Sequence, residues 1–351
     1  MAPNNKSLVL VTGATGHLGF RTLVLALQAG YRARVVYRSE SSLAKVKGAA
    51  SIKPFIDDLE YAHVPDMTVD GAFDKAVKGV DFFLHIASPI YDTSGADGEV
   101  RDWQKEFYHP ALQGTVVALA SALKEPSIKR VVITSSVVAV EAKDGASLAG
   151  PNDVKPLPDK ETLTNFTVPA YAYVYSKVMA HRAVDDWIKD HPKAHFDVVR
   201  VLPGYIQGAN ELAQNTKEAA VGSNEGTFNA ALGNLSSGPK ATAQIYLDDI
   251  AETHVVALDK QRVDGGKALI SVANNGKGWV WDDFVPVVER LFSEEVKKGL
   301  LKPRKGQEGG EVAFDVHETV KVLGHDFAGI ETMVRSVVEQ YLRLKGNEGT
   351  V

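Results

Sequence analysis

Residues 171–177 place three tyrosines close to one lysine, in the sequence YAYVYSK. Only Tyr173 has a lysine four positions later, Lys177, and residues at that spacing share one face of a helix. An ammonium held beside a phenol favours the phenolate and lowers the phenol pKa from about 10 toward neutrality. The spacing therefore predicts Tyr173 as a general acid or base assisted by Lys177. It leaves packing or pocket-wall roles to Tyr171 and Tyr175, and the alternative for the whole pattern is an accidental surface pair.

A second group of polar residues ends the apolar run Val131–Thr134, which predicts a buried strand followed by Ser135 and Ser136. Ligands of open α/β sheets bind at the carboxyl edge of the strands. A serine at that edge can donate a hydrogen bond to a carbonyl oxygen on which negative charge develops. The alternative is that both serines only cap the end of the strand.

A glycine-rich turn follows the first apolar run, Leu8–Val11, and opens a helical pattern. This order is the context that a dinucleotide pyrophosphate requires. Gly13 permits the tight turn, Gly16 lets the backbone approach the phosphates, and Gly19 lets the helix pack closely on the strand. The helix N-terminus supplies N–H groups and a positive dipole. We predict cofactor contacts at Gly13, Ala14, Thr15, Gly16, His17, Leu18 and Gly19, the alternative being a glycine-rich turn without a ligand.

The end of the second strand predicts which dinucleotide binds. The strand runs into Arg38, and Lys45 follows seven residues later. A site for NAD commonly carries Asp or Glu here, which accepts a hydrogen bond from the ribose 2′-hydroxyl. An arginine instead binds a 2′-phosphate through two N–H groups, and a lysine adds a second charge. We therefore expect NADP (NADPH), with an uninvolved strand-end arginine near Glu40 as the alternative.

The elements that must position these residues alternate between short apolar runs and helical patterns, which implies a parallel sheet covered on both faces. Strands are predicted at Leu8–Val11, Ala33–Tyr37, Tyr61–Val64, Val80–Ile86, Arg130–Thr134 and Asp197–Leu202. Helices are predicted at Phe20–Ala29, Ser42–Gly48, Ala72–Lys78, Asp102–Lys124, Ala170–Lys189, Asp282–Leu291 and Ile330–Lys345. Pro110 would kink the fourth of these helices or lie in its first turn.

The chain has 351 residues, more than the roughly 250–300 at which one hydrophobic core stops growing. The expected fold class is α/β, a doubly wound parallel (Rossmann) sheet with a smaller C-terminal lobe. Residues 1–205 would form the dinucleotide-binding domain. Residues 206–351 would form mainly a substrate-binding lobe, with some segments returning to the sheet.

Composition excludes several classes of function. The formal net charge is −5, so the surface has no net positive field for nucleic acid. The chain contains no cysteine, which excludes disulfides and thiolate metal sites, and no metal site is expected. No run approaches the ~20 apolar residues of a membrane span, and the first apolar run is too short for a signal peptide. We expect a soluble, cytoplasmic protein.

With these motifs in view, the chain resembles the extended short-chain dehydrogenase/reductase family. It is most similar to the dihydroflavonol-reductase-like branch, which includes fungal and yeast NADPH-dependent aldehyde and ketone reductases. The resemblance covers about residues 6–345 and includes the glycine turn, the Arg38 and Lys45 spacing, and the Tyr173–Lys177 pair.

The resemblance implies further cofactor contacts. Residues 64–67 look like the segment that ends the third strand, which implies that Asp66 and Met67 contact the adenine. Residues 85–89 are similar to the fourth-strand motif, which implies that Ala87 and Ser88 line the cofactor. Residues 200–204 match the strand and turn beside the nicotinamide, which adds Pro203.

The resemblance also implies the reaction. Ser136, the second serine, stands in the catalytic place, with Tyr173 and Lys177 as the catalytic pair. The implied activity is NADPH-dependent reduction of a small-molecule aldehyde, ketone or keto ester, by a monomer or homodimer. Alternatives are a sugar-nucleotide epimerase, a sterol-type dehydrogenase, or an NADP-binding regulatory protein without turnover. Two departures are Val116 and Val117, where many relatives carry an asparagine, and variable segments at 143–169 and 210–238 that carry no transferable substrate residues.

Overall fold

The computed structural model describes residues 6–88, 105, 108–143, 146–157, 169–236 and 240–348. Seven strands form its central sheet: β1 (Leu8–Thr12), β2 (Arg32–Tyr37), β3 (Leu59–His63), β4 (Phe82–His85), β5 (Arg130–Thr134), β6 (Asp197–Pro203) and β10 (Ala268–Ser271). Their order is β3-β2-β1-β4-β5-β6-β10, and the strands run parallel. All five residues of β1 are buried, because a strand covered on both faces must be apolar throughout.

The order of the strands reverses between β1 and β4. Thr12 pairs with His85, and His85 pairs with Ile133, so the carboxyl ends of β1, β4 and β5 lie side by side at one edge. In doubly wound sheets, ligands bind outside the carboxyl ends at such a reversal point. The predicted Rossmann fold is confirmed.

The helices associated with this sheet are α1 (His17–Gln28), α2 (Glu40–Gly48), α3 (His109–Leu123), α4 (Pro169–Asp190) and α7 (Leu247–Val256). The apolar faces of α3 and α4 pack on the sheet in a core that includes Leu119 and Val184, together with Leu10 and Phe83 of the strands and Phe73 of a turn segment. Burying apolar side chains of this size stabilises a fold by about 1.5–3 kcal/mol each, so this core holds the strand ends in place.

Two helix predictions need correction. The predicted helix Phe20–Ala29 begins earlier, at His17, because Gly16 is its N-cap residue. The predicted helix Ala72–Lys78 is wrong: the segment is a series of turns between Gly71 and Gly79, both of which have a positive φ. Most of the backbone hydrogen bonds along this segment span three residues instead of four. These turns still bury Phe73 and Val77, which accounts for the helix-like apolar spacing.

Three sequence predictions lie wholly or partly outside the described residues. They concern the start of the predicted helix at Asp102, the proline of the fourth-strand motif (Pro89) and the side chain of Tyr171. Pro110 lies in the first turn of α3, one of the two positions that the sequence allows.

Contacts divide the chain into two compact units. The first comprises Met1–Glu141, Pro151–Leu202 and Ala251–Leu269, and the second comprises Ala142–Gly150, Pro203–Ile250 and Ile270–Val351. Within the described ranges, no helix is long and apolar enough to cross a membrane.

The second unit has its own hydrophobic core, in which Trp281, Phe284, Val334 and Val338 are buried. Its helices are α5 (Thr216–Ala220), α6 (Glu225–Leu232), α8 (Phe284–Leu291), α9 (Ser293–Lys297), α10 (His317–Leu323) and α11 (Ile330–Glu348). Two small sheets pair β7 (Tyr205–Gln207) with β9 (Gln244–Tyr246), and β8 (Lys240–Thr242) with β11 (Gly309–Glu311).

Candidate active site

The glycine turn joins β1 to α1 in a conformation that requires its glycines. Gly13 has a φ of +74°, which disfavours residues with a side chain, and a Cβ there would lie 2.8 Å from the backbone nitrogen of Ala87. The Gly16 N–H donates to the carbonyl oxygen of Gly13 over 2.9 Å and closes the turn. The first turn of α1 contains no acidic residue, so its N–H groups and dipole remain favourable for an anion.

Gly19 brings the helix against the turn itself. A Cβ on Gly19 would lie 2.1 Å from the carbonyl oxygen of Gly13, whereas one on Gly16 would lie 3.4 Å from that same atom. Only the first distance forces the backbone to move, because atoms do not approach within 3.0 Å in that way. Packing therefore requires a glycine at position 19 and does not require one at position 16, where the sequence predicts a phosphate contact.

We expect Gly19→Ala to lower both folding stability and cofactor affinity. Overpacking of this kind costs about 1–3 kcal/mol, so the thermal unfolding midpoint of the protein without cofactor should fall by several degrees. Gly16→Ala is the matched control, which should weaken binding of the predicted dinucleotide while leaving that midpoint nearly unchanged. Thermal unfolding and dinucleotide titration measure the two effects, and equal midpoints for both variants would contradict the packing argument.

Thr12 ties the end of β1 to the end of β4. Its buried hydroxyl accepts hydrogen bonds from the N–H groups of Ile86 (3.0 Å) and Ala87 (3.1 Å) and lies 3.1 Å from Nδ1 of His85. Burial lowers the pKa of His85 to about 4, with the charge of Lys177 contributing. The ring is therefore neutral near pH 7. Because the Thr12 oxygen already accepts two N–H groups, its hydroxyl donates a hydrogen bond to Nδ1 of His85. The sequence motifs contain both residues, but no role was predicted for either of them.

Lys177 projects from α4 toward the end of β4. Its side chain is buried, and Nζ donates to the hydroxyl of Ser88 over 2.9 Å. Burial lowers the pKa of Lys177 to about 8. The predicted cofactor residues Ala87 and Ser88 thus lie where the glycine turn and Lys177 meet, and the Ser88 contact with the ammonium is one that no local pattern predicts.

Tyr173 and Lys177 lie together on α4, as their spacing predicts. Lys177 Nζ lies 5.8 Å from the centre of the partly buried Tyr173 ring. Tyr175 is also partly buried, and it has no lysine one turn later. The structure therefore brings together the proposed acid and the ammonium that would lower its pKa.

Ser135 and Ser136 follow β5 and make different contacts. Ser136 Oγ accepts a hydrogen bond from the N–H of Val138 over 3.3 Å and caps the short 3-10 helix Val137–Ala139. Ser135 Oγ lies 2.9 Å from Nδ1 of His181. Capping uses a lone pair of Ser136 and leaves its hydroxyl proton for donation to another oxygen.

Two cations follow β2: Arg38 comes directly after the strand, and Lys45 lies on α2. Arg38 is exposed and Lys45 is partly buried. Ser39 caps α2 by accepting from the N–H of Ser42 over 3.4 Å. Glu40, the acidic residue two positions after Arg38, accepts a hydrogen bond from the Tyr37 hydroxyl over 3.0 Å.

Three other predicted contact residues have mainly local roles in the structure. The Asp66 carboxylate accepts from the N–H (2.8 Å) and hydroxyl (2.7 Å) of Thr68, and these bonds lower its pKa. Met67 packs against the core, and Pro203 is the buried last residue of β6. Their contacts with a cofactor stay a prediction.

The sequence is similar to that of known proteins along most of its length. A model of the NAD dependent epimerase/dehydratase family matches residues 9–273. Ketoreductase CTB6 of Cercospora beticola is 34% identical over 353 residues, which cover 96% of this chain and 96% of that protein.

Two solved structures share the fold. A reductase engineered to attenuate substrate inhibition in asymmetric catalysis is 29% identical, with a TM-score of 0.76 and coverage of 96% of this chain and 99% of that one. Yeast methylglyoxal/isovaleraldehyde reductase Gre2, solved with NADPH, is 23% identical, with a TM-score of 0.78 and coverage of 97% and 99%. At 23% identity, the similarity to Gre2 concerns the fold alone.

Proposed function

Because the chain belongs to the NAD-dependent epimerase/dehydratase family of extended short-chain dehydrogenases/reductases, we propose that it is an NADPH-dependent reductase of aldehyde, ketone or keto ester carbonyls. The observation that carries the proposal is the buried Lys177 ammonium held beside the Tyr173 ring. The name of the ketoreductase relative supports the same direction of reaction.

The residues present fit a dinucleotide. A Cβ on Gly16 would meet only the carbonyl oxygen of Gly13, at 3.4 Å, so the turn leaves room there for a phosphate to approach. The N-terminus of α1 also favours phosphate. We assign the pyrophosphate to this turn and the 2′-phosphate to Arg38 and Lys45. Asp66 and Met67 would contact the adenine, and Ala87, Ser88 and Pro203 would line the nicotinamide half. When bound, NADPH supplies the hydride.

In the proposed mechanism, Ser136 and Tyr173 act on the substrate carbonyl oxygen, and Lys177 acts on Tyr173. Ser136 donates its hydroxyl proton in a hydrogen bond to the substrate carbonyl oxygen and stabilises the charge that develops there. Tyr173 transfers its phenolic proton to that oxygen and so completes the alcohol. Lys177 lowers the Tyr173 pKa electrostatically, an effect that its burial strengthens because water screens it less.

The direct test is to measure NADPH consumption with a panel of aldehydes, ketones and β-keto esters. Turnover of at least one class, with NADH a poorer donor, would support the proposal. Tight NADP binding without any turnover would favour a regulatory protein. Interconversion of sugar nucleotides without net NADPH consumption would favour an epimerase.

A smaller effect is expected at Lys45. Lys45→Ala should raise the KM for NADPH less than loss of Arg38 does, because an ammonium on a flexible stem lacks the bidentate geometry of guanidinium. The KM for NADH should not change, since NADH has no 2′-phosphate. Steady-state kinetics with both cofactors measure this, and a larger effect at Lys45 than at Arg38 would refute the assignment of the phosphate contacts.

A further inference from the structure

A buried chain of polar side chains runs from the end of β5 into α4 and β6. Ser135 Oγ lies 2.9 Å from His181 Nδ1, and His181 Nε2 lies 3.2 Å from a terminal nitrogen of Arg200. Arg200 also forms a salt bridge with Asp185. His181 is 1% exposed and Arg200 is 5% exposed, so water competes little for these bonds.

The neighbours of His181 decide which of its nitrogens carries the proton. Nε2 faces a terminal nitrogen of Arg200 at 3.2 Å and the Asp185 carboxylate at 3.8 Å. The carboxylate is beyond hydrogen-bond distance, and a guanidinium can only donate, so Nε2 accepts from Arg200. Burial lowers the pKa of His181 to about 3, and the positive charges of Arg200 and Arg182 add to this effect. The ring is therefore neutral with its proton on Nδ1, and that N–H donates to Ser135 Oγ. The Ser135 hydroxyl proton stays available for another acceptor.

This bond connects the two elements that carry the proposed chemistry. Tyr173, Lys177 and His181 follow one another at four-residue intervals, so they share one face of α4. Ser135 is the residue before Ser136. The hydrogen bond between His181 and Ser135 therefore joins the helix of the acid to the strand end that carries the other hydroxyl.

We propose that His181 is a positioning residue: its bond to Ser135 sets the Ser136 hydroxyl at the distance from Tyr173 that one substrate oxygen requires. The inference rests on the proposed reduction, in which both hydroxyls serve the same oxygen. Its predicted effect falls on kcat, because a displacement of about 1 Å can lower a rate about 100-fold. NADPH affinity should be nearly unchanged, since none of the proposed phosphate contacts touches His181.

Two substitutions test the role of each ring nitrogen. In His181→Asn the side-chain amide can place an N–H donor near the position of Nδ1, so this variant should keep most of the parental kcat. In His181→Gln the amide reaches toward the position of Nε2 and leaves Ser135 without its donor. We expect His181→Gln to lower kcat by about 10- to 100-fold, with the Kd for NADPH within twofold of the parent.

Ser135→Ala tests the other partner and creates only a small cavity. It should lower kcat to about the level of His181→Gln, and the double variant should lose no more than either single one, as expected for residues that act through one bond. Ser121→Ala removes a buried serine hydroxyl from α3 and should leave kcat unchanged. A parental kcat in both Ser135→Ala and His181→Gln would overturn the proposal.

The tautomer gives a readout that does not depend on turnover. In ¹⁵N NMR of the full chain labelled at histidine, His181 should show protonated Nδ1 and unprotonated Nε2 from pH 5 to 9, and Ser135→Ala should shift the Nδ1 signal. A proton on Nε2 would overturn the inference, even for a protein that reduces no carbonyl. If the expected tautomer is seen and no carbonyl is reduced, the proposed reduction fails, and the positioning role fails with it.

Discussion

Tyr173→Phe is expected to lower kcat for carbonyl reduction by at least ~10²-fold and by up to ~10⁴-fold, the range that general acid catalysis contributes. The substitution keeps the ring and its packing, and it removes the proton that the mechanism delivers to the substrate oxygen. Because Lys177 and the glycine turn remain, the Kd for NADPH should change only modestly. Steady-state reduction kinetics and NADPH titration measure the two effects separately.

Tyr175→Phe is the matched control. It removes the same hydroxyl group from the same helix, and Tyr175 is partly buried as Tyr173 is. Its kcat should stay near the parental value. If Tyr173→Phe kept its activity while Tyr175→Phe lost it, the assignment of the acid would have to move to Tyr175.

The dependence of the reverse reaction on pH gives an independent check on Tyr173. In alcohol oxidation the phenolate is the base, so kcat should rise with pH through an ionisation below ~10, the value for an unperturbed phenol. The pKa of Lys177 is lowered to about 8, so Lys177 also ionises below pH 10, and the apparent value from the pH profile belongs to the pair. Tyr173→Phe should abolish this rise.

The second large effect is expected for Arg38→Asp. This change removes a bidentate contact with the 2′-phosphate and adds a repulsive charge, so kcat/KM for NADPH should fall at least tenfold, about 1.4 kcal/mol. Use of NADH should be unchanged or improved. Because Arg38 is exposed, the thermal unfolding midpoint should stay close to that of the parent.

A charge reversal elsewhere controls for non-specific electrostatics. Arg343 is an exposed arginine on α11, and Arg343→Asp should leave the ratio of NADPH to NADH efficiency unchanged. Equal use of both cofactors by the parent protein would refute the role given to Arg38.

Local signals account for what could be predicted from the sequence. The glycine turn and the apolar strands were predictable because their signals lie within a few neighbouring residues: a turn needs glycine where φ is positive, and a doubly covered strand needs continuous apolar side chains. The Tyr173–Lys177 pair was predictable for the same reason, since both residues lie on one helix. The segment at 72–78 shows the limit, because successive turns buried the same apolar side chains that a helix would bury.

The contacts that complete the site could not be predicted in this way. Lys177 and Ser88 are 89 positions apart, and His181 and Ser135 are 46 positions apart. Such pairs are decided by how the elements pack in three dimensions. The two residues of each pair come into contact only when the chain folds, and their distance in space cannot be read from a single sequence.

The neutrality of His85 and His181 also determines how the protein should respond to acid. In the unfolded chain both rings would take up protons below pH ~6.5, whereas in the folded chain their pKa values are lowered to about 4 and about 3. As the pH falls below ~6.5, the unfolded state therefore binds more protons than the folded state, and each ring contributes a loss of stability. Mild acidification would therefore not protonate the two buried rings in the folded protein. It would instead lower the free energy of unfolding, so acid inactivation of this protein should be cooperative denaturation rather than a gradual titration of its activity.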